Sequence, residues 1–411
     1  MRENLNTSAG KSVLLFSANK VELPLFFWYT LYAVPAAAQH WITDAPVLLP
    51  GRTRTAIRGR IRITKKRLCL ILVFLFAALL PIPLPGRPVY GKYTAQFYDV
   101  FDTFVAVTAY AESEEQFNEA YEAARELFLR YHKIYDGYHA WGELGNLYRM
   151  NQTAPAEPCR VEREMIDLLL WAKANQPIGR MRVNIALGSV LSIWHSFREE
   201  GLRVPAMADL RRAAEHTDFD SIRIDAEKCE VFYTDPECRV DLGAVAKGYT
   251  AERAAEVLEK YGLTSYLINA GGNVRCGAAP KDGRKHWGIA IQNPFLSEEW
   301  MDVVYTQEMS VVTSGDYQRF YTVDGVRYHH IIDPDTLMPS DHMRQVTVVC
   351  RDSALADLLS TALFNLSPED GWELAAALEG TEAYWVLKDG SVLYTPGMKN
   401  MLQSNGASSS D

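Results

Sequence analysis

Basic residues are concentrated at the front of this 411-residue chain, and this separation of charge constrains its architecture more than any other feature. Residues 1–94 hold 13 Lys and Arg against 3 Asp and Glu, whereas residues 95–411 hold 29 against 48. The two segments therefore carry net charges of +10 and −19. Because an acidic body offers no broad basic surface to a phosphate backbone, this distribution argues against nucleic-acid binding. It indicates a basic leader joined to a separate acidic body.

The leader contains a basic flank followed directly by an apolar run. Lys65, Lys66 and Arg67 precede 13 consecutive apolar residues, 68–80, and prolines follow. That run is short against the ~20 residues that a helix needs to cross a bilayer, so residues 67–85 are interpreted as a signal peptide or a membrane anchor. The basic flank favours the cytoplasmic side, which places the body outside the cytoplasm, membrane-anchored or secreted. Residues 1–66 are expected to be a poorly structured basic extension.

The body has the composition of a globular domain and contains no internal repeat. A chain that is 48% apolar and 23% charged is neither disordered nor collagen-like. Strand-like and helix-like segments alternate without a long linker, which predicts one α/β or α+β domain over residues 96–398. The polar, serine-rich tail, residues 404–411, is expected to be disordered. The predicted strands are residues 101–109, 231–233, 240–242, 265–269, 303–313 and 346–351, and the predicted helices are residues 113–132, 163–174, 245–261 and 353–366.

The six cysteines show neither a CxxC pair nor zinc-finger spacing with histidine, so the sequence supports neither a structural zinc site nor a thioredoxin-like motif. Cys229 and Cys238 flank a predicted hairpin turn at residues 234–236. An oxidising compartment would permit a disulfide between them. Two free thiols are the favoured interpretation.

A carboxylate and a lysine bracket the predicted junction between a strand and a helix at residues 240–248. Asp241 ends the predicted strand, small residues follow, and Lys247 stands at the start of the predicted helix. An anionic ligand could contact both the lysine and the free N–H groups of the helix start. A plain turn with a surface lysine is the alternative. The GxxxxGK[ST] spacing of a Walker A loop is absent.

Two further segments carry polar residues beside turn signals. Residues 314–317 read Ser-Gly-Asp-Tyr, which indicates either a turn that approaches a ligand or a solvated loop. His329 and His330 precede an Asp-Pro pair at residues 333–334. Paired histidines suggest a metal site, but one structural and one surface histidine is an equally good interpretation. No HExxH motif accompanies them.

A predicted amphipathic helix places oxygen-bearing side chains on one face. Asp357 and Thr361 are four residues apart and therefore stack on the same side, with Ser360 beside them. Oxygen ligands of this kind suit Mg²⁺, which takes one or two protein carboxylates together with substrate phosphates. The alternative is that the Thr361 hydroxyl bonds back within the helix while Asp357 is merely solvated.

Taken in order, these segments resemble the ApbE family, the FAD:protein FMN transferases. The resemblance covers roughly residues 97–398. Each block is weak alone, but the ordered set is specific. The blocks are Phe101-Asp102-Thr103 and residues 184–194, 240–251, 269–273, 314–317, 330–334 and 357–361.

The resemblance implies an enzyme that cleaves FAD with Mg²⁺, attaches FMN to a Ser or Thr hydroxyl of a target flavoprotein, and releases AMP. The target would be an outward-facing electron-transfer subunit on a bacterial cell membrane. Two positions depart from the family pattern: Asn184 replaces a common aspartate, and His195 replaces the glycine that usually follows the tryptophan. The implied metal ligands are the Ala244 carbonyl, Asp357 and Thr361, and the implied FAD contacts are Asp241, Lys247, Ile332 and Trp194.

Phosphoryl transfer depends on neutralising phosphate charge and aligning a nucleophile, and Mg²⁺ with Lys247 can supply the first requirement. His330 is the predicted group that deprotonates the acceptor hydroxyl, because imidazole titrates near neutral pH, and Asp241 is the fallback. Two other functions stay open at this point. One is an Mg²⁺-dependent FAD pyrophosphatase that uses water as the nucleophile, and the other is a protein that binds flavin without cleaving it.

Overall fold

The computed structural model describes residues 89–296 and 298–410, so the predicted extension (residues 1–66) and signal or anchor segment (residues 67–85) lie outside the described residues. Within the described ranges, no helix is long and apolar enough to cross a membrane. The helices there are α1 (Glu114–Tyr135), α2 (Leu147–Thr153), α3 (Arg163–Asn175), α4 (Gly188–Glu200), α5 (Met207–Ala214), α6 (Ala246–Lys260), α7 (Ser353–Phe364), α8 (Pro368–Ala377) and α9 (Pro396–Lys399). The strands are β1 (Gly91–Val100), β2 (Thr103–Ala111), β3 (Cys159–Arg160), β4 (Ile222–Asp225), β5 (Glu230–Tyr233), β6 (Tyr266–Ala270), β7 (Asn273–Cys276), β8 (Trp287–Gln292), β9 (Trp300–Thr306), β10 (Ser310–Gly315), β11 (Phe320–Val323), β12 (Val326–His329), β13 (Gln345–Cys350), β14 (Glu382–Val386) and β15 (Val392–Tyr394).

Eight strands form the main sheet in the order β1-β2-β6-β7-β10-β13-β14-β15. Every neighbouring pair in this sheet is antiparallel. The mixture of helices and sheet confirms the predicted class. Because α/β folds are built on parallel strands, the antiparallel pairing selects α+β from the two predicted alternatives.

Three helices, α1, α6 and α7, cover one face of the main sheet, and α6 and α7 carry site residues. The predicted helix over residues 113–132 is confirmed as α1, where the Ser113 hydroxyl accepts a hydrogen bond from the Gln116 N–H over 3.1 Å. α1 and α6 share an apolar cluster with β2, whereas α7 joins α6 and β13 in a second cluster. The two clusters hold the first turns of α6 and α7 beside the middle of the sheet.

The segment predicted as a strand at residues 240–242 is extended but belongs to no strand, so that prediction is wrong. Val240 donates its N–H to the Asn151 side chain over 2.9 Å, and the Asn151 amide returns a hydrogen bond to the Val240 carbonyl over 2.8 Å. Asp241 donates its N–H to the Ile185 carbonyl. Because a side chain and a loop satisfy the backbone, the segment stays extended without a neighbouring strand.

The single strand predicted over residues 303–313 is also wrong, because a turn divides it. The chain forms β9, turns at Glu308 with a left-handed φ of 54°, and continues as β10. β10 belongs to the main sheet, whereas β9 pairs with β8 in a separate two-stranded sheet. The turn therefore moves the chain from one sheet to the other.

The C-terminal tail packs on the body, so the predicted disorder of residues 404–411 is wrong for residues 404–410. Ser404 donates hydrogen bonds to the Asp302 carboxylate from both its N–H and its hydroxyl. Further along, the Ser409 carbonyl accepts a hydrogen bond from the Lys285 N–H over 2.7 Å. The serines that suggested disorder serve here as partners for the β8–β9 sheet.

Cys229 and Cys238 are free thiols, as favoured from the sequence. Cys229 lies in the turn between β4 and β5, whereas Cys238 lies beyond the far end of β5. The four residues of β5 span about 13 Å at the usual strand rise, whereas a disulfide brings Cα atoms within about 7 Å. β5 thus holds the two cysteines apart.

Candidate functional site

The helices α6 and α7 approach one another closely at Gly248. Its N–H donates a hydrogen bond to Oδ2 of Asp357 over 2.8 Å. A Cβ atom at position 248 would lie 2.3 Å from the Ser353 carbonyl oxygen and 2.5 Å from the Asp357 Cβ. Glycine is therefore the residue that lets Asp357 reach the backbone of α6.

Replacing Gly248 by alanine is expected to lower the free energy of unfolding by about 2 to 3 kcal/mol, because the added methyl group must push the helices apart. Gly371→Ala in α8 is the matched control, since a Cβ there would make ordinary contacts with Trp385 at 3.5 Å. Urea unfolding of both variants measures the difference. Equal stability of the two variants would contradict the close approach.

Asp357 is a buried carboxylate with little compensating charge. Its side chain lies on α7 and the residue is 4% exposed. Burial raises the pKa of Asp357, while Lys247, the Gly248 N–H and the Asn273 side chain act to lower it. The Lys247 ammonium nitrogen stands 4.0 Å from Oδ1. A carboxylate placed this way attracts a further cation, because desolvation is only partly offset by its present partners.

Lys247 and Asp241 lie at the two ends of the segment that leads into α6. The polar groups around them, which include His195, Arg198, Arg319 and His330, are called the cleft below. The Lys247 ammonium group lies 3.5 Å from the Gly243 carbonyl oxygen, and the Gly243 N–H donates to Oδ1 of Asp241 over 2.8 Å. Asp241 is partly buried. Protein atoms surround it closely enough that burial raises its pKa. The groups that oppose this rise through their charge are His195, Arg198 and Arg319.

The Ala244 carbonyl is not used by the helix that follows it. In a regular helix it would accept from the Gly248 N–H, but that group donates to Asp357 instead. Thr361 is half-buried on the same face of α7 as Asp357. The structure therefore presents a carbonyl just before α6 and, on one face of α7, a carboxylate and a hydroxyl one turn apart. This oxygen-only set fits Mg²⁺.

Ser360 supports the site from the interior. It is fully buried, and its hydroxyl donates to the Asp357 carbonyl over 2.9 Å. The Ser314 hydroxyl lies 2.8 Å from that of Ser360. The Ser-Gly-Asp-Tyr segment thus connects β10 to α7. Its serine packs against α7. This role is intermediate between the two interpretations drawn from the sequence, a turn that approaches a ligand and a solvated loop.

The two adjacent histidines have different roles, and His329 is structural. Its Nε2 lies 2.8 Å from the Ser340 carbonyl oxygen, and its Nδ1 accepts from the Ile331 N–H over 3.2 Å. Burial lowers the pKa of His329 to about 4. Since both ring nitrogens are occupied, His329 cannot join a metal site in this conformation. Across the described ranges, no three His, Cys, Asp or Glu side chains are grouped to hold a metal.

His329 is expected to make stability depend on pH. Its pKa is lowered from 6.5 to about 4 in the folded protein. As the pH falls, the imidazole of the unfolded chain is therefore protonated at a higher pH than that of the folded protein. The free energy of unfolding should therefore drop by about 2 kcal/mol between pH 7 and pH 5 through this group. Urea unfolding of wild type and His329→Gln at both pH values tests this. An unchanged pH slope in the variant would contradict it.

His330 is held as a neutral ring with a lone pair available on Nε2. β12 ends at His329, and the His330 Nδ1 lies 3.3 Å from the Arg319 carbonyl oxygen. A carbonyl can only accept, so Nδ1 carries the proton. Burial, followed by the charges of Arg319 and Lys247, lowers the pKa of His330 to about 3. The near-neutral titration expected from the sequence is therefore wrong for His330, whose ring stays neutral at physiological pH. Lys247 thus connects His330 electrostatically to the Asp357 region.

Ile332 and Trp194 are buried together behind the cleft. Trp194 is 3% exposed, and its indole N–H donates to the Leu337 carbonyl over 2.9 Å. Ile332 is 4% exposed in the same apolar cluster. Their side chains support the wall of the cleft in this structure. The direct flavin contacts that the resemblance implied for them stay predictions.

Sequence reasoning assigned no role to several polar residues that the structure brings to the cleft. Tyr138 follows α1, and burial together with the charge of Asp241 raises its pKa to about 12. Arg319 donates to the Phe101 carbonyl over 3.1 Å and so connects the β10–β11 loop to the β1–β2 turn. These residues come from segments without a recognisable motif, and only their position in the fold reveals them. The others are Asp102, His195 and Arg198, whose charges act on Tyr138 or Asp241.

The fold and the site define an α+β protein whose polar cleft suits a phosphate-bearing ligand. The sequence model of the ApbE family matches residues 101–385 of this chain. An FAD:protein FMN transferase from Klebsiella pneumoniae is 33% identical over 246 residues, which cover 59% of this chain and 75% of that protein. Its counterpart from Treponema pallidum is 32% identical over 269 residues, covering 61% and 73%. The crystal structure of the ApbE protein from Thermotoga maritima superposes with a TM-score of 0.68 and 27% identity, covering 76% of this chain and 99% of the other.

The chain belongs to the ApbE family. The resemblance inferred from the ordered sequence blocks is thereby confirmed, and the curated relatives that it matches are transferases. The flavin transferase ApbE from Vibrio cholerae has the same fold, with a TM-score of 0.64 at 22% identity.

Proposed function

We propose that this protein transfers FMN from FAD to a Ser or Thr hydroxyl of a target flavoprotein, with Mg²⁺ as cofactor and AMP as the other product. The observation that carries the proposal is the junction of α6 and α7. There Asp357 is 4% exposed, and the Lys247 ammonium nitrogen lies 4.0 Å from its carboxylate. The names of the relatives add the identity of the transferred group.

The donor set supports Mg²⁺ as the cation. Asp357, Thr361 and the Ala244 carbonyl would hold it, since all three offer oxygen and the carbonyl has lost its usual helical partner to Asp357. When bound, the ion neutralises phosphate charge. Lys247, whose ammonium nitrogen lies 4.0 Å from Asp357, adds a second positive charge.

His330 accepts the proton in the transfer step. The acceptor hydroxyl oxygen forms a bond to the FMN phosphorus, and the bridging P–O bond breaks so that AMP leaves with the bridging oxygen. The hydroxyl proton passes to Nε2 of His330, whose Nδ1–H is fixed by the Arg319 carbonyl. Lys247 stabilises the negative charge that develops on the phosphate oxygens. Arg319, bonded to Phe101, holds the loop that carries this arrangement.

The proposal includes an extracytoplasmic location and an acceptor on a membrane electron-transfer complex. The supporting observation is the charge distribution: the first 94 residues carry +10 and the remainder −19, with a basic flank before an apolar run. Cell fractionation of the full chain, with protease added to intact cells, tests the location. Protection of the acidic body from the protease would contradict it.

Incubation of the full chain with FAD and the acceptor domain of a target flavoprotein tests the chemistry of cleavage. We expect AMP to form with Mg²⁺, and none to form when EDTA is present from the start. Chromatography of the nucleotides gives the readout. FAD that is bound but stays intact in saturating Mg²⁺ with the acceptor present would contradict the proposal and favour a flavin-binding protein.

A further inference from the structure

The rings of His195 and Tyr138 pack against each other at a tilt in the cleft. Their ring centroids are 4.4 Å apart with an interplanar angle of 31°. His195 projects from α4, whereas Tyr138 stands on the loop after α1, where its N–H donates to the Asp136 carboxylate over 2.7 Å. Tyr138 remains 53% exposed despite the adjacent imidazole. Two elements distant in sequence thus build one aromatic surface that faces solvent.

Arg198 determines which nitrogen of His195 carries the proton. Its Nη2 lies 2.8 Å from Nδ1 of His195, one turn earlier on α4. A guanidinium group can only donate, so Nδ1 must accept and the proton of the neutral ring resides on Nε2. Burial and the charge of Arg198 lower the pKa of His195, which favours this neutral form.

The Nε2–H of His195 and a carboxylate oxygen of Asp241 are both available to a ligand. Among the described residues, no protein atom accepts a hydrogen bond from Nε2 of His195 or donates one to Oδ2 of Asp241. The two side chains lie close enough for each to act on the other's pKa. The cleft therefore offers one donor and one acceptor beside the ring of Tyr138.

We propose that His195 and Asp241 recognise the hydrogen-bonding edge of a planar heteroaromatic ring that packs on Tyr138, with Arg198 as the residue that positions His195. A ligand ring that accepts a hydrogen bond from the Nε2–H of His195, and that lies in the plane of the imidazole, is on the same side of the Tyr138 ring as the imidazole. Flavin offers carbonyl acceptors beside an N–H, and adenine offers a ring nitrogen beside an amino group. Both rings match the pair, and FAD carries both. The inference rests on the proposed function for the identity of the substrate.

The role of His195 goes beyond the family pattern, because the glycine more usual at this position has no side chain. His195 is thus a specificity-determining residue of this chain. Its recognition depends on the Nε2–H donor and on the ring contact with Tyr138, and the two contributions can be separated. Phenylalanine at position 195 keeps the ring contact and removes the donor, whereas glutamine places an N–H at nearly the same reach as Nε2.

The test is equilibrium binding of FAD, FMN and AMP to the full chain and its variants, measured by calorimetry. His195→Phe should weaken FAD binding about tenfold, the effect of one lost hydrogen bond to a group left without a partner. His195→Gln should stay within about threefold of wild type. Arg198→Leu should weaken FAD binding when His195 is present. It should have no effect in the His195→Gln background, because Arg198 acts only by fixing which nitrogen of His195 carries the proton.

FMN and AMP identify the ring. If His195→Phe also weakens the binding of FMN, then His195 and Asp241 bind the flavin ring. If it also weakens the binding of AMP, they bind adenine. The inference is overturned if His195→Phe binds FAD as tightly as wild type or more tightly, or if His195→Gln falls as far as His195→Phe. It fails separately from the proposed function: a wild-type protein that binds FAD without releasing AMP when an acceptor domain and Mg²⁺ are present contradicts the transferase, while the variant series still decides the role of His195.

Discussion

Replacing Asp357 by asparagine is expected to lower turnover about a thousandfold. The change removes one negative charge from a group that is 4% exposed and keeps an oxygen able to accept from the Gly248 N–H over the present 2.8 Å. The fold should therefore survive while the attraction for the cation is lost. Loss of about 4 kcal/mol of charge stabilisation corresponds to this factor in rate. Alanine in place of Asp357 should abolish turnover.

Two measurements separate this effect from a general loss of structure. Calorimetric titration with Mg²⁺ alone should show binding to wild type and none to Asp357→Asn. The control is Asp209→Asn, which removes an exposed carboxylate from α5 at 4.0 Å from Arg212 and should leave turnover unchanged. If Asp357→Asn turns over at the wild-type rate in Mg²⁺, the assignment of the metal site is wrong.

Replacing His330 by asparagine is expected to lower kcat by about a hundredfold to a thousandfold, the usual contribution of a general base. Asparagine can keep the hydrogen bond to the Arg319 carbonyl that Nδ1 now makes at 3.3 Å, but it has no basic nitrogen at the position of Nε2. The affinity for FAD should change by less than about threefold, since the hydrogen bond that holds the loop is retained. Initial rates and FAD titration measure the two quantities.

The pH dependence of kcat/KM gives a second view of His330. The base acts in its neutral form, and burial with the charge of Arg319 lowers its pKa to about 3. This group should therefore cause no decline in kcat/KM between pH 8 and pH 5. If His330→Asn keeps the wild-type kcat while Asp241→Asn loses it, Asp241 is the base and the fallback prediction replaces the first.

The site helices were predictable from the sequence because their chemistry is local. Asp357 and Thr361 share a face at a spacing of four residues, and the apolar positions around them define α7 without reference to the rest of the fold. Lys247 is similarly predictable at the start of α6. The glycine at position 248 allows the two helices to meet. Its importance is visible only in the structure, where a Cβ at this position would lie within 2.5 Å of Ser353 and Asp357.

The remainder depends on contacts between distant segments, which local patterns do not report. Residues 240–242 alternate buried and half-exposed side chains as a strand does, yet Asn151 satisfies their backbone from 89 positions away. The donor role of His195 likewise requires Arg198 on one side and Tyr138 on the other. Such features follow from tertiary packing, so a single sequence shows the residues without showing that they meet.

The central claim is that a protein hydroxyl, and not water, receives FMN. The full chain is incubated with FAD, Mg²⁺ and the acceptor domain of a flavoprotein from the same organism, beside an acceptor whose target Ser or Thr is replaced by alanine. AMP release is followed together with flavin fluorescence on a denaturing gel. The account predicts AMP and a fluorescent band for the intact acceptor and no band for the substituted one. AMP with free FMN and no band on either acceptor would contradict transfer and establish an FAD pyrophosphatase.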